Sequence, residues 1–226
     1  MAQAILVKQY EAPPINRAEI FRYMGDRNPT MEVRELVESC LQEVLDQLTY
    51  RVCYQTFPFS LAGDQILFPF GSVVSSDLAK NLAPCCQVSI FGATIGIAID
   101  RQISKYGRIS PSRGLVFQAI GAERIESLCD RFQEEIAQML SSQGMQVRPR
   151  FSPGYGNLPL SFQTEIFRVL DCSRKIGLSL NDSLLMSPSK SVTALFGAGP
   201  SHDVPAPSGF LEGCRSCTSQ HCAFRR

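Results

Sequence analysis

The chain has 226 residues and a mass of 25.0 kDa, which is one large domain or two small ones at roughly 100–200 residues each. Hydrophobic residues make up 44% and charged residues 19%, a balance that excludes global disorder. Twenty-two Lys and Arg against 21 Asp and Glu leave a formal charge of +1, without the basic excess of a nucleic-acid or anionic-membrane binder, and no apolar run approaches the ~18 residues of a membrane-spanning helix.

The first twelve residues place Lys8 within a short apolar stretch and lack the charged-then-apolar layout of a signal peptide, so a cytoplasmic protein is expected. Beyond Pro13-Pro14, residues Val33, Leu36, Val37, Cys40, Leu41, Val44 and Leu48 recur at three/four spacing and predict a helix over 30–49, with Thr30 as N-cap. Residues 50–70 alternate and are rich in aromatics, and Gly63-Asp64 between the two runs predicts a β-hairpin. Ser75-Ser76-Asp77 opens a short helix through about Leu82, Val88 to Phe91 reads as a strand, and Thr94 to Tyr106 reads as a helix ending near Gly107. A long helical pattern follows Pro111, with Gly121 as a breaking point, a stripe from Ile125 to Leu140 and Gly144 as C-cap. A helix is expected from about Ser161 to Cys172, then strand-like pieces near Ser183–Met186 and Val192–Phe196. From Gly197 to Gly213, Gly, Pro, Ser and Ala dominate without an apolar period, as in a linker. Hairpin-like strands mixed with helices, without regular βαβ alternation, predict an α+β domain over 1–196, followed by a linker and cysteine-rich tail over 197–226.

Two motifs bear on chemistry. In Arg150-Phe151-Ser152-Pro153-Gly154-Tyr155, the Pro-Gly pair favours a type II turn and Gly154 lets a ligand approach the backbone. Arg150 has the fork geometry that holds a carboxylate, and Tyr155 offers an apolar ring with a phenol. The second motif is Cys214-x2-Cys217-x4-Cys222, a thiolate spacing that wraps a soft metal, either zinc or an iron–sulfur cluster. His221, His202 or a core cysteine is available as fourth ligand. The other cysteines (Cys40, Cys53, Cys85, Cys86, Cys129 and Cys172) lie in apolar or mixed segments and read as small buried hydrophobes. Glu134-Glu135 and Asp130, beside Arg124 and Arg131, read as a solvated helix face.

The Arg-x-x-Pro-Gly-Tyr turn, a helix of about a dozen residues and then Ile176 to Leu180 leading to Ser183, Met186, Pro188 and Ser191 resemble the reactivation (activation) domain of vitamin B12-dependent methionine synthase. Ser75 to Leu82, Ala93 to Gly96 with Asp100-Arg101, and Ile125 to Asp130 are similar to free-standing versions of that domain. The resemblance implies a mixed or antiparallel sheet with flanking helices. It also implies a groove for S-adenosylmethionine and a role in reductive reactivation of a separate cobalamin-dependent methionine synthase or related corrinoid methyltransferase. By position, Arg150 is expected to hold the methionine carboxylate, Ser152 and Gly154 to offer backbone contacts, and Tyr155 to pack on the ligand. An electron donor such as flavodoxin or ferredoxin would reduce the cobalt, and the sulfonium methyl would trap the reduced state. The chain lacks an Asp-x-His-x-x-Gly corrinoid signature, so the cobalamin is expected on the partner. The family's binding acids before the Arg turn find no matched counterpart by position. A scaffold that only docks on the corrinoid protein, or an iron–sulfur protein that reduces it without a methyl donor, are the alternative readings.

Overall fold

A computed structural model describes residues 4–201. In chain order the elements are β1 (Leu6–Tyr10), α1 (Arg17–Met24), α2 (Met31–Val44) with a 3-10 turn (Leu45–Gln47), and β2 (Tyr50–Phe57). A small meander of β3 (Ser60–Ala62), β4 (Gln65–Phe68) and β5 (Gly71–Val74) follows, then α3 (Ser76–Leu82), β6 (Gln87–Thr94), α4 (Ala98–Ile109) and α5 (Pro111–Ser141). The C-terminal third holds β7 (Met145–Val147), α6 (Phe162–Leu170), α7 (Cys172–Ile176), the short pair β8 (Ser179–Leu180) and β9 (Met186–Ser187), and β10 (Ser191–Pro200). No helix among the described residues is long and apolar enough to cross a membrane.

The main sheet has the order β1-β2-β6-β10-β7, and every neighbouring pair is antiparallel. Alternation along its strands builds a core on each side. On one face Val52, Tyr54, Phe91, Ala93, Ala194 and Phe196 meet α1, α2, α4 and α5. On the other, Cys53, Phe57, Val88, Ile90 and Leu195 meet α3, α6, α7 and the meander. Phe132 of α5 is fully buried at the centre of the first core, with ring centroids 5.0 Å from Tyr54, 5.0 Å from Phe91 and 6.0 Å from Phe196. The expected α+β class holds, with an antiparallel sheet and flanking helices.

Local chemistry explains where elements start and where the sequence reading differs. Thr30 caps α2 by accepting from the Val33 amide, and Ser75 caps α3 by accepting from the Leu78 amide. The turn at Gly63-Asp64 joins β3 to β4, inside the meander, while the long preceding strand β2 joins the main sheet. Thr94 ends strand β6, so α4 begins four residues later than the apolar pattern suggests. Gly121 does not break α5, which runs unbroken for 31 residues. A Cβ there would lie 2.8 Å from Cγ of Lys190, so the glycine serves the close approach of that side chain. Asp171 in the left-handed region (φ 48°) separates α6 from α7. β10 continues through Gly197 to Pro200, past the point where the linker was expected. A Cβ on Gly197 would lie 2.5 Å from Sγ of Cys85, so glycine marks close packing of α3's end on a central strand.

Edge strand β1 is tied to α5 by Lys8, which pairs with Glu135, and by the Tyr10 hydroxyl, which donates to Glu135 at 2.6 Å. Hydrogen bonds from Lys8 and Tyr10 hold the Glu135 carboxyl below the usual carboxylate range. Its contribution to stability is therefore present above the unfolded pKa of about 4.3 and is lost as pH falls through the depressed folded value. Glu135→Gln is expected to cost about 0.2–1 kcal/mol at pH 7, the range for partly exposed pairs, and to flatten the acid limb of stability in urea titrations. Phe132→Ala is expected to cost about 3–5 kcal/mol in the same assay at pH 7.

Candidate ligand site

After β7 the chain continues along the edge of β10. The Arg148 amide donates to the Gly197 carbonyl at 2.8 Å, and Phe151 and Leu195 exchange backbone hydrogen bonds at 2.8 and 2.9 Å. Alternation on this edge sends Phe151 to the core of α3, α6 and α7, and Arg150 to the opposite face, toward α5. There Nη1 of Arg150 donates to Oδ1 of Asp130 at 2.6 Å, and Nη2 donates to Oε2 of Glu126 at 2.5 Å. The two acids are one helical turn apart on α5, so a single guanidinium spans both. The Arg150 side chain is 13% exposed, and the acids are about one third exposed at 34% and 33%. Burial opposes the guanidinium charge, but the surrounding Cys129, Glu126 and Asp130 outweigh it and raise the Arg150 pKa.

The turn that follows has the expected geometry. Gly154 sits at φ 88°, and the Tyr155 amide donates to the Ser152 carbonyl at 3.1 Å, as in a type II turn with Pro153 at its second position. Gly154 and Tyr155 are exposed, with Tyr155 at 71%, so the bend is open to solvent. The loop is fixed from beyond by Asn157, whose side-chain oxygen accepts from the Ser75 hydroxyl at 2.6 Å and the Asp77 amide at 3.2 Å. Its side-chain nitrogen donates to the Ser76 hydroxyl at 2.6 Å. A second clasp closes the other end of β10. The Ser189 amide donates to Asp100 at 2.9 Å, the Ser191 hydroxyl donates to Oγ1 of Thr94 at 2.8 Å, and the Ile95 amide donates to the Lys190 carbonyl at 3.3 Å.

Glu126 and Asp130 also line a groove of about 770 Å³ between α5, α1 and the segment leading to Arg34. That size lies within the usual range of small-molecule clefts, about 300–1,000 Å³. Its walls carry both signs of charge: Glu123, Glu126 and Asp130 on α5, and Arg17, Arg22 and Arg34 opposite. The wall is anchored by Arg124, which is fully buried. Arg124 pairs with Glu123 at 2.5 Å and donates to the carbonyls of Pro13 and Pro14 at 2.6 and 2.7 Å. Glu123 in turn accepts from the Asn16 amide at 3.0 Å, which fixes the start of α1.

The structure places Arg150 on two acids of α5 that line the groove and that the sequence reading did not assign, while the Ser152–Tyr155 turn follows it in the chain, held to α3 through Asn157, and neither Arg150 nor the turn lines the groove itself. Asp130 is not on a purely solvated face, because it is paired with Arg150, and Glu135 is paired with Lys8. Cys214, Cys217 and Cys222 lie outside the described residues, and among the described residues no group of three or more His, Cys, Asp or Glu could hold a metal.

These features define an α+β domain with the reactivation-domain fold. The crystal structure of the MetH reactivation domain bound to AdoHcy matches with a TM-score of 0.68 at 14% sequence identity, covering 91% of this chain and 81% of that one. Residues 132–204, about a third of the chain, match the family model described as vitamin B12 dependent methionine synthase, activation domain. No curated protein matches the chain.

Arg150→Ala strands two partly buried carboxylates one turn apart. It is expected to lower stability by about 1–3 kcal/mol in chemical denaturation, with Glu126→Gln and Asp130→Asn showing non-additive losses against it in double-mutant cycles.

Proposed function

We propose that the protein binds S-adenosylmethionine at the Arg150 edge of the groove and reactivates a separate cobalamin-dependent methionine synthase or related corrinoid methyltransferase. The observation that carries this reading is the likeness of fold to a domain bound to AdoHcy, the demethylated form of S-adenosylmethionine. The family match over 132–204 supports it, since that stretch contains Arg150, Ser152, Gly154 and Tyr155.

The residues present suit this ligand. It carries a carboxylate, an ammonium, a ribose and a sulfonium. Glu126 and Asp130, oriented by Arg150, supply acceptors for the ammonium or ribose, and Arg150 is the donor for the carboxylate. Ser152 and Gly154 present backbone at the open bend, and the exposed Tyr155 ring offers a face for stacking or for cation–π contact with the sulfonium. The domain's task is positioning. A one-electron donor such as flavodoxin or ferredoxin reduces cobalt(II) on the partner, and the methyl group passes from sulfur to the reduced cobalt when the two are in line.

Titration calorimetry of the full chain with S-adenosylmethionine and AdoHcy tests the reading. Binding is expected for both, with Tyr155→Ala, an exposed change that spares the fold, weakening it about tenfold. Mixing the protein anaerobically with a cobalt(II) methionine synthase, a reductant and S-adenosylmethionine is expected to produce the methylcobalamin spectrum. Absence of binding both alone and with the corrinoid partner would leave only a docking scaffold and overturn the proposal.

A further inference from the structure

We infer that Cys53 and Cys172 form a redox pair, which a small oxidant such as hydrogen peroxide closes to a disulfide that staples β2 to α7. The two thiols come from positions 119 residues apart, yet their Sγ atoms lie 3.8 Å from each other. An S–S bond is about 2.05 Å long, so the sulfurs need approach by less than about 2 Å, within reach of side-chain rotation. Gly92 of β6 stands opposite Cys53 in the register with β2. A Cβ on Gly92 would lie 3.1 Å from Sγ of Cys172 and 3.6 Å from Sγ of Cys53, so both sulfurs converge over a residue without a side chain.

Both thiols are fully buried in the core that α3, α6 and α7 build on the sheet, which restricts the oxidant to a small, neutral one. Burial pushes the thiols of Cys40 and Cys85 up to about 11. Cys53 shifts the other way: hydrogen bonding from Cys172 lowers its pKa against the cost of burial, and the Gly92 amide adds to the effect. Hydrogen bonding to Cys53, together with burial, raises the pKa of Cys172. Cys53 is therefore the attacking sulfur. Its thiolate attacks one peroxide oxygen, the O–O bond breaks, and hydroxide leaves behind a sulfenic acid. Cys172 gives its proton to that hydroxide and attacks the Cys53 sulfur. The S–S bond forms as the S–O bond breaks, and the second hydroxide takes up the proton that Cys53 had released. Two electrons pass from the pair to the peroxide, which becomes two waters. The link closes a loop spanning 119 positions, and confining so long a segment of the unfolded chain favours the folded one.

This pairing does not depend on the S-adenosylmethionine reading, and either can fail alone. The reduced, folded full chain is treated with hydrogen peroxide, alkylated in denaturant and digested without reductant. Mass spectrometry is expected to find a linked peptide carrying Cys53 and Cys172, lighter by two hydrogens than its separate parts. The urea midpoint is expected to rise on oxidation and to return on adding dithiothreitol. Cys172→Ala is expected to abolish the linked peptide and the rise in midpoint, and to leave Cys53 as a sulfenic acid that dimedone traps. A folded wild-type chain in which peroxide modifies other cysteines but yields no Cys53–Cys172 peptide, a link that forms only after unfolding, or a midpoint that does not rise with the link would each overturn the inference.

Discussion

The pairing of β10 with β6 is the constraint on which the rest of the molecule depends. β10 comes last among the described elements, yet it occupies an interior position in the sheet, with β6 on one side and β7 on the other. Its eight-residue register with β6 runs from Ser191 opposite Thr94 to Ala198 opposite Gln87. Residues Thr193 to Ala198 are all buried, because this strand faces a core on both sides. The register fixes three things at once. The start of β10 carries the Ser187–Lys190 loop to α4, its middle holds the Arg150 edge through Phe151, and its end accepts the Cys86 amide at the Ala198 carbonyl. A slip of one residue would turn Leu195 and Phe196 to the wrong cores and move Arg150 off α5.

Arg150 carries one positive charge between two carboxylates, so the cluster at the groove is net negative. At 4 Å, with an effective dielectric of about 20, one unit charge pair is worth about 4 kcal/mol before desolvation, enough to favour a cationic centre of a ligand over a second anion. Under the proposed function, that makes the acids the first contact for the ligand's ammonium or sulfonium group. A ligand carboxylate must then reach a guanidinium already engaged with Glu126 and Asp130. The electrostatics thus shift emphasis from Arg150 alone, as the motif suggests, to the three residues acting together.

Much of the fold was legible because local rules held. The apolar stripe of α2, the caps Thr30 and Ser75 and the Pro153-Gly154 turn all depend on neighbours within about four residues. What escaped the sequence depends on distant packing. Gly121 and Gly197 read as a helix break and a linker start, but each is small because another chain segment lies against it, Lys190 in one case and Cys85 in the other. Asp130 and Glu126 look like ordinary solvated helix acids until a residue twenty positions on is folded over them. A hydrogen-bond partner across that distance leaves no periodic signal.

The stretches that carry the family resemblance turn out to be bonded to one another. Ser75 to Asp77 holds Asn157 behind the Pro-Gly bend, Thr94 and Asp100 hold the loop of Ser187 to Ser191, and Glu126 with Asp130 holds Arg150. Each pair closes a junction between the N-terminal two thirds of the chain and its C-terminal third, the junctions that β10 requires in order to enter the sheet. Contacts of this kind hold the C-terminal third in the sheet, whose fold is like that of the reactivation domain at 14% identity. The proposed ligand recognition would then rest on the atoms these clasps leave facing solvent, the carboxylates of Glu126 and Asp130 and the ring of Tyr155. Glu126 and Asp130 both assemble a junction and line the groove, so under the proposed function a change at Arg150, which holds them, acts on folding and on binding together, whereas a change at the exposed Tyr155 separates the two.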